Sequence, residues 1–207
     1  MLLEEATPQH PTNTYGAAKR AKEDILTGFG AACGIRSVIS RYFNVAGADP
    51  DGEISKSHEL ETHLIPLAFD AALGRRAALT VFGADYTTPD GTCVRDYVHV
   101  CDLVDAHLRG LEWLRGGKLS TAFKLGSGRG YSVKEVIEAA ADATGRPVPM
   151  RVGQRRAGDC ASLVSGSARA AGKRGCIPKD VDFRNTIEQS AARATCIFSE
   201  VIRNYAI

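Results

Sequence analysis

Tyr15 and Lys19 stand four residues apart in Thr12-Asn13-Thr14-Tyr15-Gly16-Ala17-Ala18-Lys19. On a helix that spacing points both side chains the same way. A phenol ordinarily titrates near pH ~10, and an ammonium beside it favours the phenolate. Such a tyrosine can take or return a proton nearer neutral pH, which is chemistry on an alcohol or a ketone. The plain alternative is a tyrosine and a lysine on a solvated helix face, and the short pattern alone favours it. A second group is Arg155-Arg156-Ala157-Gly158-Asp159. Two arginines ahead of a glycine suit a pyrophosphate, and the aspartate suits ribose hydroxyls; the alternative is a solvated charged turn. Arg95-Asp96-Tyr97 reads either as another phosphate contact or as an ion pair at the start of a strand. Leu125-Gly126-Ser127-Gly128-Arg129-Gly130 invites a phosphate-loop reading. Its third glycine comes one residue early for G-x-G-x-x-G, and no acidic residue ends a following strand, so a strand-turn-helix connection is the better reading.

These groups need elements to hold them. Helical spacing covers residues 15–29, with Ala18, Ile25, Leu26 and Phe29 largely on one side and Lys22, Glu23 and Asp24 between them. Asn13 or Thr14 can cap that helix, which ends near Gly34. A strand over 35–42 leads into a loop from Phe43 to about Glu59, the kind of place past a strand end where site groups collect. Further helices are expected over 62–73, 101–114, 133–144, 165–172 and 183–205. Further strands are expected over 78–82, 95–100, 121–125 and 147–152, with a turn-rich stretch over 83–94. Residues 1–11 read as a lead-in loop. Strands alternating with helices give an α/β protein with largely parallel pairing, without repeats or low-complexity segments.

Composition narrows the classes. The 207 residues are 44% apolar and 24% charged with a net charge of +2, an ordinary globular balance that predicts no nucleic-acid partner. No apolar run approaches a membrane span, and Met1-Leu2-Leu3-Glu4-Glu5 is too short and acidic for a signal peptide. Six cysteines without any C-x-x-C predict reduced thiols and a cytoplasmic protein. His99 and Cys101 lack further ligands at metal spacing, so no metal site is expected.

The stretch Thr80-Val81-Phe82-Gly83-Ala84-Asp85-Tyr86-Thr87-Thr88-Pro89-Asp90-Gly91-Thr92-Cys93-Val94-Arg95-Asp96-Tyr97-Val98-His99-Val100-Cys101-Asp102-Leu103 resembles the signature of the UDP-glucose 4-epimerases, a family of the extended short-chain dehydrogenase/reductases. Arg41-Tyr42-Phe43-Asn44-Val45-Ala46-Gly47-Ala48, Glu61-Thr62-His63-Leu64-Ile65-Pro66 and Arg155 to Asp159 follow in family order with matching gaps. The resemblance covers about residues 5–190. It implies a partial Rossmann-like, doubly wound parallel sheet plus a smaller UDP-sugar-binding α/β region. Residues 1–50 would belong to the dinucleotide domain, 51–190 mainly to the sugar-nucleotide region with segments around 95–125 returning to the sheet, and 191–207 would form an atypical tail.

The resemblance also implies a mechanism. NAD takes a hydride from hexose C4 while a tyrosine takes the O4 proton, the 4-keto sugar turns over, and hydride returns to its other face. Tyr15 is then the acid/base, and Lys19 lowers its pKa and holds the nicotinamide ribose. Phe43 lies on the nicotinamide side. Asn44, His63 and Leu64 hold the UDP-sugar, UDP-glucose or UDP-galactose. Thr80, Val81 and Phe82 line the uracil pocket. Arg95 and Arg156 bind the pyrophosphate, and Asp159 a ribose hydroxyl. Leu163 falls where the family sets the width of the sugar pocket, and its medium size leaves N-acetylated sugars open.

Several positions depart from common family forms: Thr14 for Pro, Ala18 for Ser, His63 and Lys124 for Asn. A larger departure is that no glycine-rich βαβ unit precedes Tyr15, nor the Ser or Thr that the family sets beside the tyrosine. The expectation is therefore a C-terminal portion of an epimerase that holds NAD poorly alone and exposes an apolar sheet edge, with a homodimer possible in the full-length form. Two alternatives remain. One is a nucleotide-sugar dehydratase or decarboxylase of the same superfamily. The other is a non-catalytic remnant keeping part of a UDP-sugar pocket.

Overall fold

Residues 2–51, 60–166 and 182–205 are described by a computed structural model of the chain. Helix α1 (Thr14–Cys33) leads into β1 (Val38–Tyr42) and β2 (Asn44–Ala46). After α2 (Leu64–Ala72) come β3 (Leu79–Phe82), β4 (Val94–His99), α3 (Val100–Arg115), β5 (Thr121–Leu125) and β6 (Gly130–Ser132). The chain continues through α4 (Val133–Thr144), β7 (Met150–Gly153), β8 (Ser162–Leu163) and α5 (Phe183–Tyr205).

The pairing is mostly parallel, as alternating strands and helices require. β1 pairs with β5, β3 with β7, and β2 and β8 with β4, all parallel. Among the described residues these form three separate small sheets, and the pair β4–β6 is antiparallel. In that pair Gly130 to Ser132 lies opposite Asp96 to Val94. The α/β class with largely parallel pairing is as expected. Two expectations need correction, and β8, like β6, stands where no strand was expected. Asn44 to Ala46 is a strand and not loop, because it finds Tyr97 to His99 as a partner far along the chain. β8 is two residues held by the same neighbour. The helix expected over 165–172 does not begin at Ser165, which instead bridges Leu3 of the lead-in segment; residues 167–172 lie outside the described set.

The main core lies where α2, α4 and α5 close over β3. Ala68, Phe69, Val81, Val136, Ala140 and Ile187 are buried there. The Phe183 ring stacks on Tyr131 at 3.9 Å between centroids and tilts against Tyr97 at 5.3 Å, fastening α5 to β4 and β6. Burial pushes the Tyr97 phenol well above its ordinary range, so its hydroxyl stays neutral. A smaller cluster of Ala106, Phe123 and Leu125 joins α3 to β1 and β5, with Trp113 edge-on to Phe123 at 5.9 Å. Neither cluster reaches α1, which buries none of its residues.

Candidate functional site

Helix α1 carries Tyr15 and Lys19. Its start is set by Asn13, whose side-chain oxygen accepts the Gly16 N–H at 2.8 Å, and its end by Gly34, whose N–H donates to Gly30 O. Tyr15 is 71% exposed, and the Lys19 ammonium lies 5.3 Å from the centre of its ring. That places a cation against the phenol from the same helix face, as the four-residue spacing predicts. Arg41 reaches back from β1 to hold α1 in place. It donates to both oxygens of Glu23, at 2.9 and 2.6 Å. Burial pushes the Glu23 carboxyl up, but the hydrogen bonds from Arg41 and Gln9 outweigh it and leave it below its ordinary value.

The arginine-rich turn sits at the mouth of β3. Arg156 lays its guanidinium 3.9 Å from the centre of the Phe82 ring. Arg155 covers Tyr86 at 4.2 Å and pairs with Asp85 through Nε at 2.7 Å. That hydrogen bond holds the Asp85 carboxyl below its ordinary range and the Arg155 guanidinium above its own. Asp159 accepts from Arg95 Nη2 at 3.1 Å, while Arg95 Nη1 donates to the carbonyls of Val94 and Cys160. Arg95 and Asp159 are therefore paired with each other, which is the ion-pair alternative for Arg95. Leu163 stands in register with Arg95 on the neighbouring strand, half-buried. Thr80 accepts from Arg151 at 3.1 Å, whereas Val81 is turned into the core, so only its backbone can face a ligand.

Asn44 sits on β2 and donates from Nδ2 to the Asp96 carbonyl at 3.3 Å. Phe43, half-buried, donates its N–H to Leu125 O, which fixes the step from β1 to β2. His63 is the residue before α2, and its Nδ1 lies 2.6 Å from Glu61 Oε1. Leu64 follows as the first helical residue and packs partly against the core. Phe82, Arg95, Arg156, Asp159 and Leu163 thus converge, with Asn44 alongside on the same β4 framework. Tyr15 is joined to them through its helix start. Thr12 Oγ1 donates to Gly158 O at 2.9 Å across 146 residues of sequence.

Asp96 is the largest omission from the sequence reading. It is fully buried and accepts from Ser127 N and Ser127 Oγ at 2.8 and 2.7 Å, Gly128 N at 3.2 Å and Ser165 N at 2.9 Å. The glycine-rich turn at 126–128 is therefore an anion cradle whose anion is this chain's own carboxylate. A Cβ at Gly126 would lie 2.4 Å from Asp96 Oδ2, which explains the glycine. Asp90 has a similar role in the 83–92 turn. It accepts from Thr92 N and Oγ1 and from Ser132 Oγ, the cap of α4. The turn composition around Asp90-Gly91 marked a loop, but not that its carboxylate fastens another helix.

This arrangement is an α/β scaffold bearing an open Tyr–Lys pair beside an arginine-lined turn, and the chain belongs to the NAD dependent epimerase/dehydratase family, whose model matches residues 2–126. Within that family it is similar to proteins named UDP-glucose 4-epimerase. It is 45% identical over 188 residues to the one from Halalkalibacterium halodurans, covering 91% of this chain and 56% of that protein. It is 50% identical over 168 residues to the one from Rhizobium meliloti, covering 81% and 51%. Among solved structures, UDP-glucose 4-epimerase from Brucella ovis in complex with NAD superposes with a TM-score of 0.89 at 43% identity, covering 94% of this chain and 60% of that one. The Bifidobacterium longum enzyme in complex with NAD+ and UDP gives 0.88 at 34% identity, covering 95% and 59%. The chain spans a little over half the length of these relatives.

Proposed function

We propose that this chain carries the proton-transfer pair and the UDP-sugar pocket of a UDP-glucose 4-epimerase, which interconverts UDP-glucose and UDP-galactose. The observation that carries the reading is the convergence of Phe82, Arg95, Arg156 and Asp159 on a turn bonded to the start of the Tyr15 helix. In it the uracil lies against Phe82 and the β3 backbone at Thr80 and Val81. Arg156 and Arg95 face the pyrophosphate, where guanidinium forks suit phosphate oxygens, and Asp159 accepts from a ribose hydroxyl. Asn44, His63 and Leu64 hold the hexose end, and Leu163 bounds its width.

Tyr15 takes the proton from hexose O4 and later returns it to the same oxygen of the turned-over 4-keto sugar. The Lys19 ammonium stabilises the negative charge that develops on the tyrosine oxygen. NAD, when bound, supplies the hydride acceptor for C4. Tyr15, Lys19 and Phe43 fit its nicotinamide end. Its pyrophosphate has no cradle among the described residues, because the amides of the one glycine-rich turn after a strand, 126–128, are given to Asp96. The 207-residue chain is accordingly expected to bind UDP-sugar while retaining little NAD. Stoichiometric NAD released from the purified chain by acid would contradict that.

A chimera tests the chemistry itself. Residues 5–190 replace the matching segment of a full-length relative, and conversion of UDP-galactose is followed. The chimera is expected to turn over, and Tyr15→Phe within it to lose about a hundredfold or more in kcat. A folded, NAD-loaded chimera without activity would sink the assignment.

A further inference from the structure

Nucleotide recognition and proton transfer are placed on segments far apart in sequence, and one contact joins them. Thr12 Oγ1 donates to Gly158 O at 2.9 Å. Thr12 precedes Asn13, whose side chain caps α1 and whose carbonyl accepts the Ala17 N–H. Tyr15 is the second residue of that helix. Gly158 lies between Arg156 and Asp159, at the tip of the turn whose Asp159 N–H donates back to Arg156 O. The approach is close: Gly158 has φ +78°, and a Cβ there would lie 2.9 Å from Thr12 O and 3.5 Å from Asn13 Cβ. The two backbones are in contact at the glycine, with the threonine hydroxyl closing the contact.

The proposed function asks the turn to give up one of its present contacts, that of Arg156 with Phe82. Arg156 lies on the Phe82 face, the surface the proposed function gives to a base. When a base takes that face the guanidinium must leave it, and the natural destination is the pyrophosphate. Arg156 and Gly158 belong to one turn, closed by the Asp159 N–H on Arg156 O, so a rearrangement of that turn around a nucleotide bears on Gly158 and, through Thr12, on the cap that sets where α1 begins. We propose that Thr12 is a positioning residue that couples nucleotide binding at the 155–159 turn to the placement of Tyr15. This rests on the turn being a nucleotide site. The coupling is reciprocal, so anything that shifts the α1 start also changes affinity at the turn. A neutral hydrogen bond is worth a few-fold in an equilibrium, so loss of the hydroxyl is expected to weaken UDP binding by no more than about fivefold.

The test uses the 207-residue chain labelled with fluorotyrosine, with the Tyr15 fluorine resonance assigned by Tyr15→Phe and UDP as the probe. Saturating UDP is expected to shift that resonance. In Thr12→Val, UDP still binds but the shift falls to less than half, and Thr12→Ser restores it. A packing role alone would alter stability in both variants without separating UDP affinity from the Tyr15 response. Gly158→Ala supplies a measurement without ligand: its Cβ presses on Thr12 O, so the Tyr15 resonance is expected to move before UDP is added. An equal UDP shift in Thr12→Val, or an unmoved resonance in folded Gly158→Ala, overturns the coupling and leaves the pocket reading standing. UDP that fails to bind the unsubstituted chain overturns the pocket reading and the coupling together.

Discussion

Lys124 is a lysine whose burial leaves an electrostatic trace. It is 9% exposed on β5, and burial pulls its ammonium below the ordinary lysine range, with Arg41 adding to the effect and Glu5 and Glu4 opposing it. Folding therefore disfavours the charged form. Its cost to stability is present at neutral pH and disappears as pH rises through the folded value, where the native state sheds the proton first. Lys124→Met is expected to raise the melting temperature by a few degrees at pH ~7, about 1 kcal/mol, with a smaller gain near pH ~10. Scanning calorimetry at the two pH values decides it, and an equal gain at both would show that packing and not charge is responsible. Asp96 gives the opposite case. Asp96→Ala strands three backbone donors in the interior and is expected to cost about 3 kcal/mol or more in chemical denaturation. A loss under about 1 kcal/mol would mean that the cradle is filled by water instead.

At the scale of elements, short carboxylate-held turns do the fastening that long helices advertise in sequence. Asp90 receives the caps of its own turn and of α4, and Lys134 Nζ donates to its carbonyl. Burial pushes its carboxyl up, but the Ser132 and Thr92 hydrogen bonds win and hold it below its ordinary value. The stability this contributes is whole above the unfolded carboxylate range and is lost as pH falls through the folded value. Asp90→Asn is expected to cost about 1 kcal/mol at pH ~7 and to show a flatter decline of stability on acidification than the unsubstituted chain. The helices α1 to α5 were legible because their periodicity is local, and the Asn13 cap of α1 lies beside the helix it starts. β2, β6 and β8 were not, since strands of three, three and two residues exist only through β4, a partner the sequence does not point to. The same holds for the site. Tyr15–Lys19 and Arg155–Asp159 are contiguous patterns, whereas Asp96 in its cradle and Thr12 on Gly158 are made by residues 31 or more apart.

The molecule leaves apolar surface open on α1 and on α3. Ile25 and Phe29 of α1 are 56% and 53% exposed, and Val104, Leu108 and Leu111 are exposed on α3. No described helix is long and apolar enough to cross a membrane. Surface of this kind promotes association, so the isolated chain is expected to show concentration-dependent mass in light scattering, reduced by Phe29→Ser. The buried core lies elsewhere, around α2, α4 and α5, which is also where the β3 mouth and the arginine turn are supported. The proposed sugar-nucleotide pocket therefore rests on the larger core, while the Tyr15 helix is tied down by Arg41–Glu23 and Thr12–Gly158. The most direct measurement is calorimetric titration of the 207-residue chain with UDP-glucose, with Arg156→Ala beside it. Saturable binding near one site per chain, weakened at least tenfold in the variant, is the predicted result. An absence of binding by a folded chain, or equal binding by both proteins, would contradict the assignment of the pocket.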